Sequence, residues 1–166
     1  MCIRDRFTVI ADILLKLLPA SKQEKQAFSY YRAGLKAQTK GLYNEALNNY
    51  FLALELEEDP YDRSYIFFNM GLVFQNTGRT TDALSYLHLA IAFNENLAQA
   101  YNMIGIIYHA QAVCAYYLED DEETGLSNSL FDKAAEYWII ALKLEPDNYP
   151  AIRNWLKTSG RLNEGD

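Results

Sequence analysis

Between residues 24 and 157 the apolar positions recur at intervals of three and four, with polar positions between them. That period belongs to helices, since a strand would alternate its faces every second residue. The runs predict helices over 24–40, 43–57, 61–77, 80–93, 97–118, 129–145 and 148–158. A further run ahead of them places Phe7, Ile10, Leu14, Leu17 and Leu18 at helical spacing, closed by Pro19, and predicts an N-terminal amphipathic helix. The fold class is all-α. The run from Phe7 to Leu18 holds Asp12 and Lys16 within twelve residues, whereas a membrane-crossing helix needs about 20 apolar residues. It therefore caps the following core or lies on a membrane surface, and capping is the simpler role. Its internal charges and the lack of a small-residue cleavage site argue against a secretory signal.

Small residues add a longer period. Gly34, Gly71 and Gly105 stand 37 and 34 residues apart, and Ala46 and Ala83 each follow their own glycine by 12, with Ala53 and Ala90 seven residues later. This is the tetratricopeptide pattern, a pair of antiparallel helices repeated every 34 residues or so. The first unit reads Tyr30, Ala33-Gly34, Ala37, Gly41, Tyr43, Ala46, Tyr50, Ala53, and the second Phe67, Met70-Gly71, Phe74, Gly78, Ala83, Leu87, Ala90. The third reads Tyr101, Ile104-Gly105, Tyr108, Ala134, Trp138, Ala141, Pro146, with 17 extra residues between its glycine and its alanine. Each glycine lets the two backbones of a pair approach, and the large residues fill the space around them. The expected organisation is a leader and amphipathic helix over 1–26, repeats over 27–63, 64–97 and 98–148, and a capping helix and tail over 149–166. One pair cannot bury its own apolar face, so the units stack into a solenoid with caps at its ends. Ile152, Trp155 and Leu156 share the inner face of that last helix. Between units one and two, Pro60 breaks the preceding helix and Asp62 is placed to cap the next.

Composition narrows the chemistry. Of 166 residues, 22 are Asp or Glu and 15 Lys or Arg, a net charge of −7 that lacks the basic footprint nucleic acid requires. Two histidines and two cysteines, Cys2 and Cys114, match no metal-ligand spacing or disulfide framework. Five adjacent carboxylates at 119–123 lack the alternating ligands of a calcium loop and read as a solvated insertion. His88 reads as a partly buried helix residue and Cys114 as a small filler. No phosphate loop, nucleophile elbow or convergent carboxylate pair is present, so neither an enzyme nor a cofactor site is expected.

What remains is surface. The first helix of each unit lines a concave groove, and its exposed positions fall at Phe28, Tyr31, Leu35 and Gln38, at Tyr65, Phe68, Leu72 and Gln75, and at Gln99, Asn102, Ile106 and His109. Aromatic and aliphatic side chains with amides at the rim suit a peptide segment of a partner protein. Phe28 and Tyr31 could instead pack under the N-terminal helix. A chaperone-tail adaptor would need Lys and Arg here to clamp a carboxylate, and Arg32 and Asn69 are the only fragments of such a set. That reading is the alternative.

The stretches Glu24 to Gly34, Asp59 to Ile66, Ala134 to Trp138 and Asn154 to Lys157, with the leader from Phe7 to Pro19, resemble the photosystem I assembly protein family of chloroplast genomes and cyanobacteria. The resemblance runs from about residue 7 to 157. Residues 1–6 stand outside it, and the acidic insertion around 118–130 departs from the family pattern. The resemblance implies a non-enzymatic scaffold, peripheral to the thylakoid on its stromal or cytoplasmic face. It also implies newly made photosystem I core subunits and an accessory assembly factor as partners.

Overall fold

In the computed structural model, residues 21–117 and 125–162 are described, and all their regular structure is helical. In chain order the helices are α1 (Lys22–Thr39), α2 (Tyr43–Leu56), α3 (Pro60–Asn76), α4 (Thr80–Phe93), α5 (Ala98–Tyr116), α6 (Leu126–Leu144) and α7 (Pro150–Thr158). The helix expected over 7–18 and the acidic run at 119–123 lie outside the described residues. The chain divides into two compact units, Met1–Glu58 with α1 and α2, and Asp59–Asp166 with α3 to α7.

In the first unit α1 starts on a capping box. The Ser21 hydroxyl accepts from the Glu24 amide at 3.1 Å, and the Glu24 carboxylate accepts from the Ser21 amide at 2.6 Å. Together they satisfy two of the donors a helix start leaves open. The helix ends at Gly41, whose φ of 74° lets the Leu42 amide reach back to the Ala37 carbonyl at 3.0 Å. The chain then turns directly into α2. Gln23 ties the far end of the pair, its amide donating to the Leu56 carbonyl at 2.9 Å and to the Glu58 carboxylate at 3.1 Å. Tyr50 is fully buried between the helices, and a Cβ on Gly34 would sit 2.5 Å from its ring.

The second unit repeats this construction twice. Gly78, with φ of 76°, closes α3 as Gly41 closes α1, the Arg79 amide returning to the Phe74 carbonyl at 2.9 Å. A Cβ on Gly71 would meet Leu87 at 2.8 Å, and one on Gly105 would meet Trp138 at 2.5 Å. Each repeat glycine thus faces the large residue four positions beyond its partner alanine, which explains their fixed spacing. Ala46, Ala83 and Ala134 have no exposed surface, as close helix crossing requires. Tyr101 and Tyr108 flank Tyr137, the latter pair stacked at 5.8 Å between α5 and α6. At the end of the unit, Leu156 of α7 is completely buried with Ala134, Ala135, Trp138 and Leu142, and Ile152 and Trp155 pack around it. Tyr149, at the start of α7, donates to Glu145 at 3.4 Å. Burial and then the Glu145 charge push its phenol up to about 12.

The start of α3 differs from expectation. Asp59, not Asp62, is the cap: its carboxylate accepts from the amides of Tyr61 at 2.8 Å and Asp62 at 3.1 Å. Pro60 takes the first helical position, where its missing N–H costs nothing, so the cap must be the residue before it. Asp62 instead places its charge in the positive first turn. Replacing Asp59 by alanine should cost about 1 kcal/mol, read as a lowered thermal midpoint, whereas Asp62→Ala should cost clearly less.

Candidate functional site

The groove positions lie on the first helix of each pair, to one side of the repeat glycine; most are half-buried, and Ile106 is exposed. In the first unit Tyr31, Leu35 and Gln38 are half-buried on α1. The Tyr31 ring lies 6.1 Å from that of Tyr50, and the Gln38 side-chain oxygen accepts from the Tyr50 hydroxyl at 2.5 Å. That bond uses the Gln38 oxygen to join the two helices of its pair. Burial, then the proximity of Tyr31, raises the Tyr50 phenol well above its ordinary range. Phe28 lies under the Arg32 guanidinium at 5.9 Å.

In the second unit Tyr65, Phe68 and Leu72 form a half-buried row on α3. Tyr65 stands edge-on to Tyr61 with ring centroids 5.2 Å apart and hydroxyls at 3.0 Å. Asn69 is buried, and its amide donates to the Tyr65 carbonyl at 3.0 Å, so it serves the helix itself. On α5, Ile106 is 40% exposed. Asn102 accepts through its backbone carbonyl from the Trp138 indole at 3.2 Å. The side-chain oxygens of Gln75 and Asn102 are both buried and meet no donor.

His109 faces elsewhere. Its ring centroid is 5.3 Å from Phe131, 5.3 Å from Trp138 and 5.1 Å from Trp155, which places it in the joint between α5, α6 and α7 and not on the open face. Arg161 closes this joint, its guanidinium 5.6 Å from the Phe131 ring and 5.7 Å from Trp155, held by Asp132 at 2.8 Å. Cys114 also departs from expectation, being exposed on the last turn of α5. His88 is half-buried as expected, its ring edge-on to Tyr137 at 5.8 Å. Among the described residues no group of three His, Cys, Asp or Glu converges, and no helix is long and apolar enough to cross a membrane.

No protein-family model matches the chain. The photosystem I assembly protein Ycf3 of Phaeodactylum tricornutum is 65% identical over 160 residues, covering 96% of this chain and 95% of that one. The Ycf3 proteins of Cyanophora paradoxa and Rippkaea orientalis are 52% and 48% identical over 155 residues each, 93% of this chain and 88% of theirs. The chain belongs to the Ycf3 family. The architecture has an independent match in the first tetratricopeptide domain of Spaghetti (RPAP3), solved with an HSP90 peptide, at a TM-score of 0.61. That likeness covers 82% of this chain and 93% of the other at 22% identity, so it concerns the fold.

Both histidines of this Ycf3-family chain have their pKa lowered by burial. The unfolded chain therefore binds protons more readily, and stability falls as the pH drops through 6.5, the ordinary histidine value. His109 touches both tryptophans of the chain, and an imidazolium quenches indole emission on contact. Acid titration of the folded protein should quench the tryptophan emission with a midpoint below 6.5, and His109→Phe should remove that titration. Persistence of the quench in the variant would place its origin outside this joint.

Proposed function

We propose that the chain is a non-catalytic scaffold in the assembly of photosystem I, holding an exposed segment of a newly made subunit until that segment's permanent neighbour replaces it. The observation that carries this is identity of 65% over nearly the whole chain with a protein named for that assembly. The binding face we assign to Tyr31, Leu35 and Gln38 in the first unit, and to Tyr65, Phe68, Leu72, Gln75, Asn102 and Ile106 in the second. His109 packs among Phe131, Trp138 and Trp155 and is not assigned to it. Half-buried aromatic and aliphatic side chains favour such a role, since they give up little conformational entropy on binding and bury much area. The protein acts at the thylakoid, peripherally, on its stromal or cytoplasmic face. Photosystem I core subunits and an accessory assembly factor are its partners.

The test is affinity purification from photosynthetic membranes. The unmodified chain should bring down immature photosystem I subunits, and Tyr65→Ala with Phe68→Ala should reduce them by tenfold or more, as loss of two interface anchors at about 1–2 kcal/mol each implies. Unchanged recovery with a folded double variant would remove the groove from the mechanism. The alternative, an adaptor for a chaperone tail, needs cationic side chains at the groove positions named above, and those positions hold none. Binding of an acidic chaperone tail peptide would reinstate it.

A further inference from the structure

Charge is divided unevenly along the chain. The first 40 residues hold eight Lys or Arg against three Asp or Glu, a net charge of +5, whereas the remaining 126 hold seven against nineteen, a net −12. The total of −7 hides this basic end. Five of its cations belong to α1: Lys22, Lys25, Arg32 and Lys36 within the helix and Lys40 at its C-cap, all of them exposed. At about 100° per residue they fall within an arc of roughly 80°, and so form one stripe along the helix. Ala27, Gly34 and Ala37 are the buried residues of α1, and Gly34 faces Tyr50 of α2, so the stripe lies on the side turned away from α2. Glu24, the one acid of the helix, lies off the stripe and is held by the Ser21 amide in the capping box. From Lys22 to Lys40 the stripe runs for roughly 27 Å.

The fold alone does not account for this row. Lys36 and Lys40 suit the negative end of the helix, but Lys22 and Lys25 stand at its positive end, where acids are favoured. Lys22 with Lys25, Arg32 with Lys36, and Lys36 with Lys40 are like charges three or four residues apart, which repel along a helix face. None of the five is ion-paired to a described carboxylate. A stripe of this length engages all its cations together only where anions are laid out in a row or a plane. The sequence directly ahead of it chooses between the two. Residues 4–18, outside the described range, add Arg4, Arg6 and Lys16 and the apolar positions Phe7, Ile10, Leu14, Leu17 and Leu18. An acidic protein segment would match the cations and leave that apolar row without a counterpart. A bilayer with anionic headgroups matches both, and stable peripheral attachment takes two such signals, apolar side chains at the acyl boundary and cations over the headgroups. Screening confines the opposing effect of acids elsewhere in the chain to those within about 10 Å of the headgroups.

We propose that α1 lies flat on a membrane surface bearing anionic headgroups, with the cationic stripe from Lys22 to Lys40 against them and the apolar leader positions at the acyl boundary. The inference rests on the reading of a protein peripheral to the thylakoid and deepens it, giving the attachment a helix, a face and a lipid chemistry. Tyr31, Leu35 and Gln38 lie round the helix from the stripe, so this attachment leaves the groove open.

The test is co-flotation of the full chain with vesicles of phosphatidylcholine alone and of phosphatidylcholine with roughly a third phosphatidylglycerol. The anionic vesicles should bind at least about tenfold more tightly, and the difference should shrink as salt is raised. Lys25→Gln with Arg32→Gln should weaken binding to the anionic vesicles by roughly tenfold or more, at about fivefold per charge. Both positions are exposed and glutamine is a good helix former, so this variant keeps its fold. Lys25→Arg with Arg32→Lys preserves the charges and should bind like the unmodified chain. Equal binding to the two kinds of vesicle, undiminished binding of the glutamine variant, or an equal loss in the charge-preserving variant would each overturn the proposal. So would a soluble poly-glutamate peptide that binds as tightly as the anionic vesicles, which marks an acidic protein as the partner. Self-association at low salt that the glutamine variant loses would mark a second copy and overturn it as well. If photosystem I subunits co-purify with the unmodified chain while anionic vesicles fail to bind it, the proposal falls and the scaffold reading stands. Vesicle binding with no co-purifying subunit gives the reverse.

Discussion

Gly105→Val should destabilise the second unit by about 3 kcal/mol, at the upper end for overpacking a core, and lower the thermal midpoint by roughly 6–12 °C for a chain of this size. The Cβ alone would stand 2.5 Å from two atoms of the Trp138 indole. Tryptophan 138 cannot retreat, because it is 5% exposed and its far side is packed by Trp155 at 5.1 Å and by Leu142. Any shift also pulls the indole N–H off the Asn102 carbonyl. Against these costs stands the gain in helix propensity on removing a glycine, about 1 kcal/mol at most and smaller for a β-branched residue. The clash wins. The paired change Gly105→Val with Trp138→Leu, which copies the smaller partner that Leu87 offers Gly71, should recover part of the loss. A double variant no more stable than the single one would refute the steric account.

The same contact explains why so much of this fold was legible in the sequence. A glycine facing a large residue across a helix crossing fixes two positions at once, and the 34-residue period fixes them again in the next pair. The predicted spans of α2, α3 and α4 consequently fall within one residue of the observed ones at each end. Less was legible where the period breaks. Helix α6 starts three residues before its predicted start because Gly125, with φ of 60°, turns the chain ahead of it, and nothing periodic marks that turn. At the joint before α3 two aspartates flank a proline, and only the placement of Pro60 at the first helical position decides for Asp59. His109 and Cys114 were misjudged for one reason. The period of one helix says nothing of what lies beyond its own pair: Trp155 of α7 packs against His109, and Cys114 on the last turn of α5 is exposed. Periodicity reports which side chains are buried within a pair. It carries no information about an exposed face, so the groove residues follow from the register and not from any signal of their own.

Leu156→Ala tests the other large effect, the docking of α7. Truncating a fully buried leucine costs about 2–5 kcal/mol where the cavity cannot collapse. The loss takes a different form from that of Gly105→Val, because α7 is a nine-residue helix at the end of the second unit and a helix this short is marginal on its own. Its order depends on burying Leu156 against Ala134, Ala135, Trp138 and Leu142, with Ile152 and Trp155 alongside. The free energy at risk is therefore capped by that of undocking α7, and the remainder of the unit stays folded. The expected result is a small loss of helical signal, a red-shifted and more accessible Trp155, and a global thermal midpoint that moves less than in Gly105→Val. His109 should titrate closer to 6.5 in this variant, since Trp155 no longer covers the ring. Amide hydrogen exchange separates the two cases: protection should vanish in α7 alone for Leu156→Ala, whereas for Gly105→Val it should fall across α5 and α6 together. Uniform loss of protection in the leucine variant would mean that α7 is integral to the unit and that the joint around His109 holds the whole third repeat.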